Sequence, residues 1–212
     1  MTSEEFLELT ASATENAQKD LSELLDFSKS LIGKARLRQR PKAKTFMKFN
    51  TYSAMYQRAA SVLELSKIEQ GTAANIIVRS MWETLVTYDF INLTRGNTNA
   101  EILLALESQQ LQKNSIQLKE LRAKYPDKDT WQSTLTDKKL DKHIKLRQTE
   151  LERFKKKHPK IKLGTYTNII GRLKVIDDTL ISRNHNHNTL TQVDYRTAYS
   201  VQSGDVHSTI LG

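Results

Sequence analysis

The sequence predicts an all-α protein: a helical bundle of about six or seven helices with a projecting central helical hairpin. Apolar residues recur at helical spacing through most of the chain. Only seven Gly and three Pro interrupt 212 residues, and the alternating Val/Ile/Thr pattern of strands is scarce. That length suffices for one large domain with a substantial core. We expect a single domain over residues 1–212, with 1–96 and 161–212 as the bundle core and 97–160 as the hairpin.

The first helix is expected from Ser3 to about Ile32, with Leu21, Leu24, Leu25, Leu31 and Ile32 on one face, Ser28 their polar member and Phe27 beside them. Gly33 and Pro41 bracket a basic connection. The second helix carries Phe49, Tyr52, Tyr56, Ala59 and Leu63 at helical spacing. Gly71-Thr72 opens the third, with Thr72 as its cap, and Arg95-Gly96-Asn97 closes it. From Asn99 to Lys124 the apolar stripe narrows to Leu104, Leu111 and Leu118, with Leu121 beside it, which places this helix in a solvent-facing hairpin. Tyr125-Pro126-Asp127 is its turn. The returning helix, Asp137 to Lys157, is basic and amphipathic through Leu140, Ile144, Leu151 and Phe154. Pro159 to Gly164 breaks it. The next helix, Thr165 to Ser182, aligns Ile169, Ile170, Leu173, Ile176 and Leu180, and a last one covers about Gln192 to Gln202.

Composition narrows the functional classes. The absence of Cys removes disulfides and weakens any case for structural zinc, which fits a reducing cytoplasm. The start, Met1-Thr2-Ser3-Glu4-Glu5, is acidic where a secretory signal would be basic and then apolar. No stretch approaches the ~20 apolar residues of a membrane span. A soluble cytoplasmic protein without membrane contact is the expectation.

The net charge of +9 is unevenly placed. Residues 1–26 hold seven acids against one base, Lys19. From Phe27 to Leu63 there is no acid and nine bases, among them Lys34, Arg36, Arg38, Arg40, Lys42 and Lys44. From Arg153 to Ile176 there is again no acid and eight bases, including Lys155, Lys156 and Lys157. Such clusters either keep a surface solvated or face a polyanion such as a phosphate backbone.

One turn, Arg79-Ser80-Met81-Trp82-Glu83, sits inside an otherwise apolar helix. Residues four apart share a helical face, so Arg79 and Glu83 are placed to pair. A charge pair in such a setting is either a structural salt bridge or a polar site within the bundle. In the polar C-terminal third, Arg183-Asn184-His185-Asn186-His187-Asn188 has neither a Cys nor a nearby acid, and reads as a connecting loop rather than a metal site. The aromatic residues of 46–56 are expected in the core rather than as stacking platforms. Phosphate-loop, zinc-protease and serine-hydrolase motifs do not occur.

The pattern Arg79-x-x-x-Glu83, followed much later by Tyr195-Arg196-x-x-x-Ser200 and His207, resembles a bacterial helical family known mainly as a domain of unknown function. That family is similar in turn to the HEPN superfamily. The resemblance spans about residues 45–95 and 165–210. It implies an all-helical, usually dimeric protein that binds RNA and cleaves it without metal or other cofactor, of the kind found in toxin–antitoxin and phage-defence systems. The superfamily's Arg-then-His motif is not reproduced, since Ser200 precedes His207 where an Arg would stand. On the resemblance, His207 transfers protons, Arg79 and Arg196 contact phosphate, Glu83 orients Arg79, and Tyr199 and Ser200 support by hydrogen bonds. RNA, a cognate protein or antitoxin, and a second copy of the chain are the expected partners. The competing expectation is a non-enzymatic helical adaptor or regulatory subunit that meets protein or nucleic acid through the basic surfaces.

Overall fold

The computed structural model describes residues 2–35, 41–93, 95–125 and 136–182. These form six α-helices: α1 (Ser3–Lys34), α2 (Ala43–Lys67), α3 (Gly71–Asn92), α4 (Gly96–Lys124), α5 (Asp137–Lys157) and α6 (Ile169–Ser182). A short 3-10 turn, Leu163–Tyr166, precedes α6. Among the described residues there is no strand, and no helix is long and apolar enough to cross a membrane. The protein is an all-α bundle. The helix expected over Gln192 to Gln202 lies outside the described residues.

A capping box starts α1. The Glu5 N–H donates to Thr2 Oγ1 at 3.2 Å, and the Thr2 N–H donates to Glu5 Oε2 at 2.7 Å, which satisfies two otherwise orphaned amides. The helix lies along α2. One neighbour covers only a narrow strip, so Leu25 alone of the expected stripe is buried, while Leu24 and Phe27 remain 59% and 62% exposed. The apolar face is therefore partly covered in the fold, with Leu21 and Ile32 half-buried and Leu31 exposed.

Helix α2 ends in a Schellman turn: the Gln70 N–H donates to Leu65 O at 2.9 Å, and Glu69 takes a left-handed φ of 58°. That turn delivers the chain already helical at Gly71. Gln70 occupies the cap position without a side-chain bond, and Thr72, expected as the cap, lies inside the helix.

The α3–α4 junction is tighter than the sequence suggests. Arg95-Gly96-Asn97 does not merely close α3, because α4 begins at Gly96 rather than Asn99. A Cβ at position 96 would stand 2.1 Å from the Ile91 carbonyl oxygen, so only Gly fits. Asn99 Nδ2 then donates to Phe90 O at 2.7 Å, satisfying a carbonyl at the end of α3.

Helix α5 spans the expected residues, Asp137–Lys157. The next helix starts later than expected, at Ile169, because Asn168 Oδ1 accepts from the Gly171 N–H at 2.8 Å and acts as its cap.

The core gathers Val86, Phe90 and Ile91 of α3, Ala100, Ile102, Leu103 and Ala105 of α4, Phe154 of α5, and Leu173 and Ile176 of α6. Phe90 and Tyr166 pack as tilted rings with centroids 5.7 Å apart. The base of the α4–α5 hairpin is thus built into this core rather than standing apart from it. Towards its tip, Leu111 and Leu121 are exposed, as the narrowing stripe implied.

Candidate functional site

Helix α3 turns a polar face made by Ser80, Glu83, Thr84 and Thr87 toward a cavity of about 390 Å³ between α2, α4 and α6. These positions fall at i, i+3, i+4 and i+7, one helical face. Two arginines enter from opposite neighbours. From α2, Arg58 NH1 donates to Thr84 Oγ1 at 2.6 Å, and that hydroxyl donates to Ser80 O at 2.8 Å. From α6, Arg172 NH1 donates to Thr87 Oγ1 at 2.8 Å, and Thr87 donates to Glu83 O at 2.8 Å. Each threonine oxygen accepts from a guanidinium while passing its own proton to the helix backbone, so the arginines are aimed and not merely nearby. Glu83 and the exposed Glu107 of α4 also line the cavity and supply countercharge.

A second cleft, of about 520 Å³, opens between α4 and α5 on the other side of Glu107, which lines both. Two carboxylate networks stand in the second cleft. Glu101 accepts from Lys157 Nζ at 2.7 Å and Asn97 Nδ2 at 3.0 Å, and its Oε2 lies 2.6 Å from His158 Nε2. Burial opposes ionisation of Glu101, but the hydrogen bonds and charges of Lys157 and His158 outweigh it and hold the carboxyl below its usual range. Glu150 accepts from Ser108 Oγ at 2.8 Å and Arg147 NH1 at 2.9 Å. Burial again works against the charge, and Ser108, Arg147 and the more distant Arg153 together lower this carboxyl too.

Of the residues expected to act, Glu83 is in the first cavity, whereas Arg79 is half-buried on α3 and does not line it. The ion pairs formed among the described residues do not include Arg79–Glu83. Glu83 instead shares its cavity with Arg58 and Arg172. Arg196, Tyr199, Ser200 and His207 lie outside the described residues, as do Arg36, Arg38 and Arg40. Lys34, Lys42, Lys155 and Lys156 are exposed, Lys44 is half-buried against the α3–α4 junction, and Lys157 is tied to Glu101. Among the described residues no group of acids and histidines has the arrangement of a metal site.

Arg58 and Arg172 were missed by the sequence reading, although each carries a signal. Both are lone cations on helix faces whose other members are apolar or small, namely Ala54 before Arg58 and Ile169 and Ile176 around Arg172. Phe46 corrects a second expectation: it is 37% exposed at the second cleft, because Ala43 and Met47, not Phe46, occupy the face of α2 that packs on the core.

The arrangement defines an all-helical protein with two clefts that share Glu107, one holding Arg58 and Arg172 on threonine hydroxyls and the other holding Arg147 on Glu150. The model of a family of unknown function, DUF5677, matches residues 45–212, and the chain belongs to that family. No curated protein and no solved structure matches the chain.

Proposed function

We propose that the protein is an RNA-binding member of a HEPN-like group and cleaves its RNA without a metal ion, as a cytoplasmic toxin or phage-defence effector acting as a dimer. One observation carries the reading: the two acid-free segments, far apart in sequence, come together around the clefts. Phe46 of the first segment lines the same cavity as Arg153 and Lys157 of the second, and Arg58 of the first and Arg172 of the second line the adjoining one. These cations are interleaved with Glu83, Glu101, Glu107 and Glu150, and guanidinium groups held in this way bind phosphate oxygens directionally.

Cleavage of this type needs no cofactor. The ribose 2′-oxygen loses its proton to a base and attacks the adjacent phosphorus; the 5′-oxygen leaves with a proton from an acid, giving a 2′,3′-cyclic phosphate. Arg58 and Arg172 are placed to stabilise charge on the phosphoryl oxygens. His207, carried over from the family resemblance, is assigned the proton transfer. Incubating the protein with a labelled RNA in EDTA tests this. Wild type is expected to cleave, Arg58→Ala to lose binding and cleavage together, and His207→Ala to bind but not cleave. Equal cleavage by His207→Ala removes His207 from the mechanism; absence of RNA binding at low salt removes the function.

A second reading, a helical adaptor, is favoured by a different surface. An apolar cavity of about 250 Å³ lined by Leu21, Met55, Val78, Met81 and Trp82 opens between α1, α2 and α3, beside the exposed Leu24 and Phe27. Apolar residues exposed together in this way suit a protein-binding face. Loss of a biological effect on Trp82→Ala, with RNA cleavage intact, would support it.

A further inference from the structure

The cleft between α4 and α5 contains groups that the phosphate reading does not use. Its floor is apolar, formed by Leu104, Ala105 and the ring of Phe154, which is itself fixed against His158 with centroids 5.0 Å apart. Phe46 stands at the opening with more than a third of its surface accessible. An aromatic residue that projects from a helix start into a cleft is unfavourably placed for an isolated protein and well placed for a stacking partner.

The polar groups of the wall fall into two kinds. Glu101 and Glu150 are committed to Lys157, His158, Ser108 and Arg147, so those parts of the wall are locally neutral. Others are uncommitted. Arg147 keeps a quarter of its side chain accessible beside its bond to Glu150, and its Nε is buried without a hydrogen-bond partner among the described residues. Arg153 and Glu107 line the cleft, and neither makes a hydrogen bond or ion pair among the described residues. A planar apolar ring with both donor and acceptor edges, attached to an anion, answers all of these together. The volume of about 520 Å³ is in the range that holds such a ligand. Glu107 then links this cleft to the Arg58 and Arg172 cavity. A stacking pocket followed by an anion pocket repeats the alternation of base and phosphate along a single nucleic-acid strand.

We propose that the α4–α5 cleft is a nucleobase subsite for single-stranded RNA, with Phe46 stacking on the base, Arg147 and Glu107 reading its edge, and Arg153 holding the neighbouring phosphate. This rests on the RNA reading above and adds where, and through which residues, a base is recognised.

The test uses the full chain, titrated with AMP, GMP, CMP and UMP, and separately with a single-stranded RNA and with poly-glutamate, by calorimetry or ligand-observed NMR. At least one mononucleotide is expected to bind. Phe46→Ala should weaken it about fivefold or more, the scale of one stacked base, and Arg153→Gln should weaken it too, both with unchanged thermal unfolding. Arg58→Ala should reduce RNA binding while leaving mononucleotide binding in place. If RNA binds through Arg58 but no mononucleotide binds, or Phe46→Ala binds both as wild type does, the subsite is overturned and the RNA reading survives. Binding of mononucleotides without RNA keeps the subsite and ends the RNA reading. Binding of neither, or of poly-glutamate as tightly and without dependence on Phe46, overturns the subsite.

Discussion

Thr84 and Thr87 show how single residues organise the first cavity. Each is a β-branched side chain on α3 whose hydroxyl donates back to its own helix and accepts from an arginine of a neighbouring one. Thr84→Val keeps the shape and removes the acceptor for Arg58. A hydrogen bond to a charged group contributes about 1.5–3 kcal/mol. Thr84 is buried but Arg58 is only half-buried, which moderates this, so a loss of about 1 kcal/mol in urea unfolding is expected, with Thr84→Ser close to wild type. Glu101 makes a pH-dependent contribution. Its folded-state carboxyl sits below the ordinary value of 4.5, so its stabilising effect is complete above that value and is lost as pH falls through the lower, folded one. Glu101→Gln should therefore unfold at a lower temperature than wild type at pH 7, and the gap should close as the pH drops below about 4.5. A gap that stays constant down to pH 3 would mean that the ionised carboxylate is not what Lys157 and His158 hold in place.

Helix boundaries are governed by turns whose chemistry the sequence only partly displays. The helix expected at about Asp137 to Lys157 is found there, since polar flanks and an unbroken amphipathic stripe frame it. The α2–α3 and α3–α4 junctions were not, because each depends on backbone geometry that no side-chain pattern announces. At the first, Glu69 occupies a left-handed conformation better suited to Gly. Glu69→Gly is expected to stabilise by about 1 kcal/mol, read as a higher unfolding temperature. Gly96 is the opposite case. A methyl group there collides with the Ile91 carbonyl, and Gly96→Ala should cost about 2 kcal/mol or more because α3 and α4 must separate. The same limit explains the site. Glu83 could be singled out because its charge breaks an apolar run, whereas Arg58 and Arg172 became visible only when α2 and α6 were seen to converge on one face of α3. Periodicity reports which face of a helix is apolar, and it does not say which neighbour covers that face. That is why the α1 stripe could be read as a stripe but not its burial, which the structure limits to Leu25.

At the scale of the whole molecule, the fold converts a charge pattern into a charged surface. Phe46 at the start of α2 and Arg153 and Lys157 at the end of α5 are more than a hundred residues apart in sequence but line one cleft. Affinity for RNA should therefore fall steeply with salt, because each neutralised phosphate releases condensed counterions. The lysines at the end of α5 are not equivalent in this. Lys155 and Lys156 are exposed, whereas Lys157 already lies 2.7 Å from Glu101, so part of its charge is answered within the protein. Replacing Lys155 and Lys156 with Gln should flatten the slope of log affinity against log salt by up to about two contacts. Stability should change by no more than about 0.5 kcal/mol per exposed site. Lys157→Gln should change the slope less than either, and should lower thermal stability more, because it leaves Glu101 with one cation fewer. Equal slopes for Lys155→Gln and Lys157→Gln would show that RNA displaces the Glu101 contact, placing Lys157 on the phosphate. A flat salt dependence in the wild type would mean that the converged basic segments do not meet a polyanion, and would leave the apolar face beside α1 as the better candidate for the working surface.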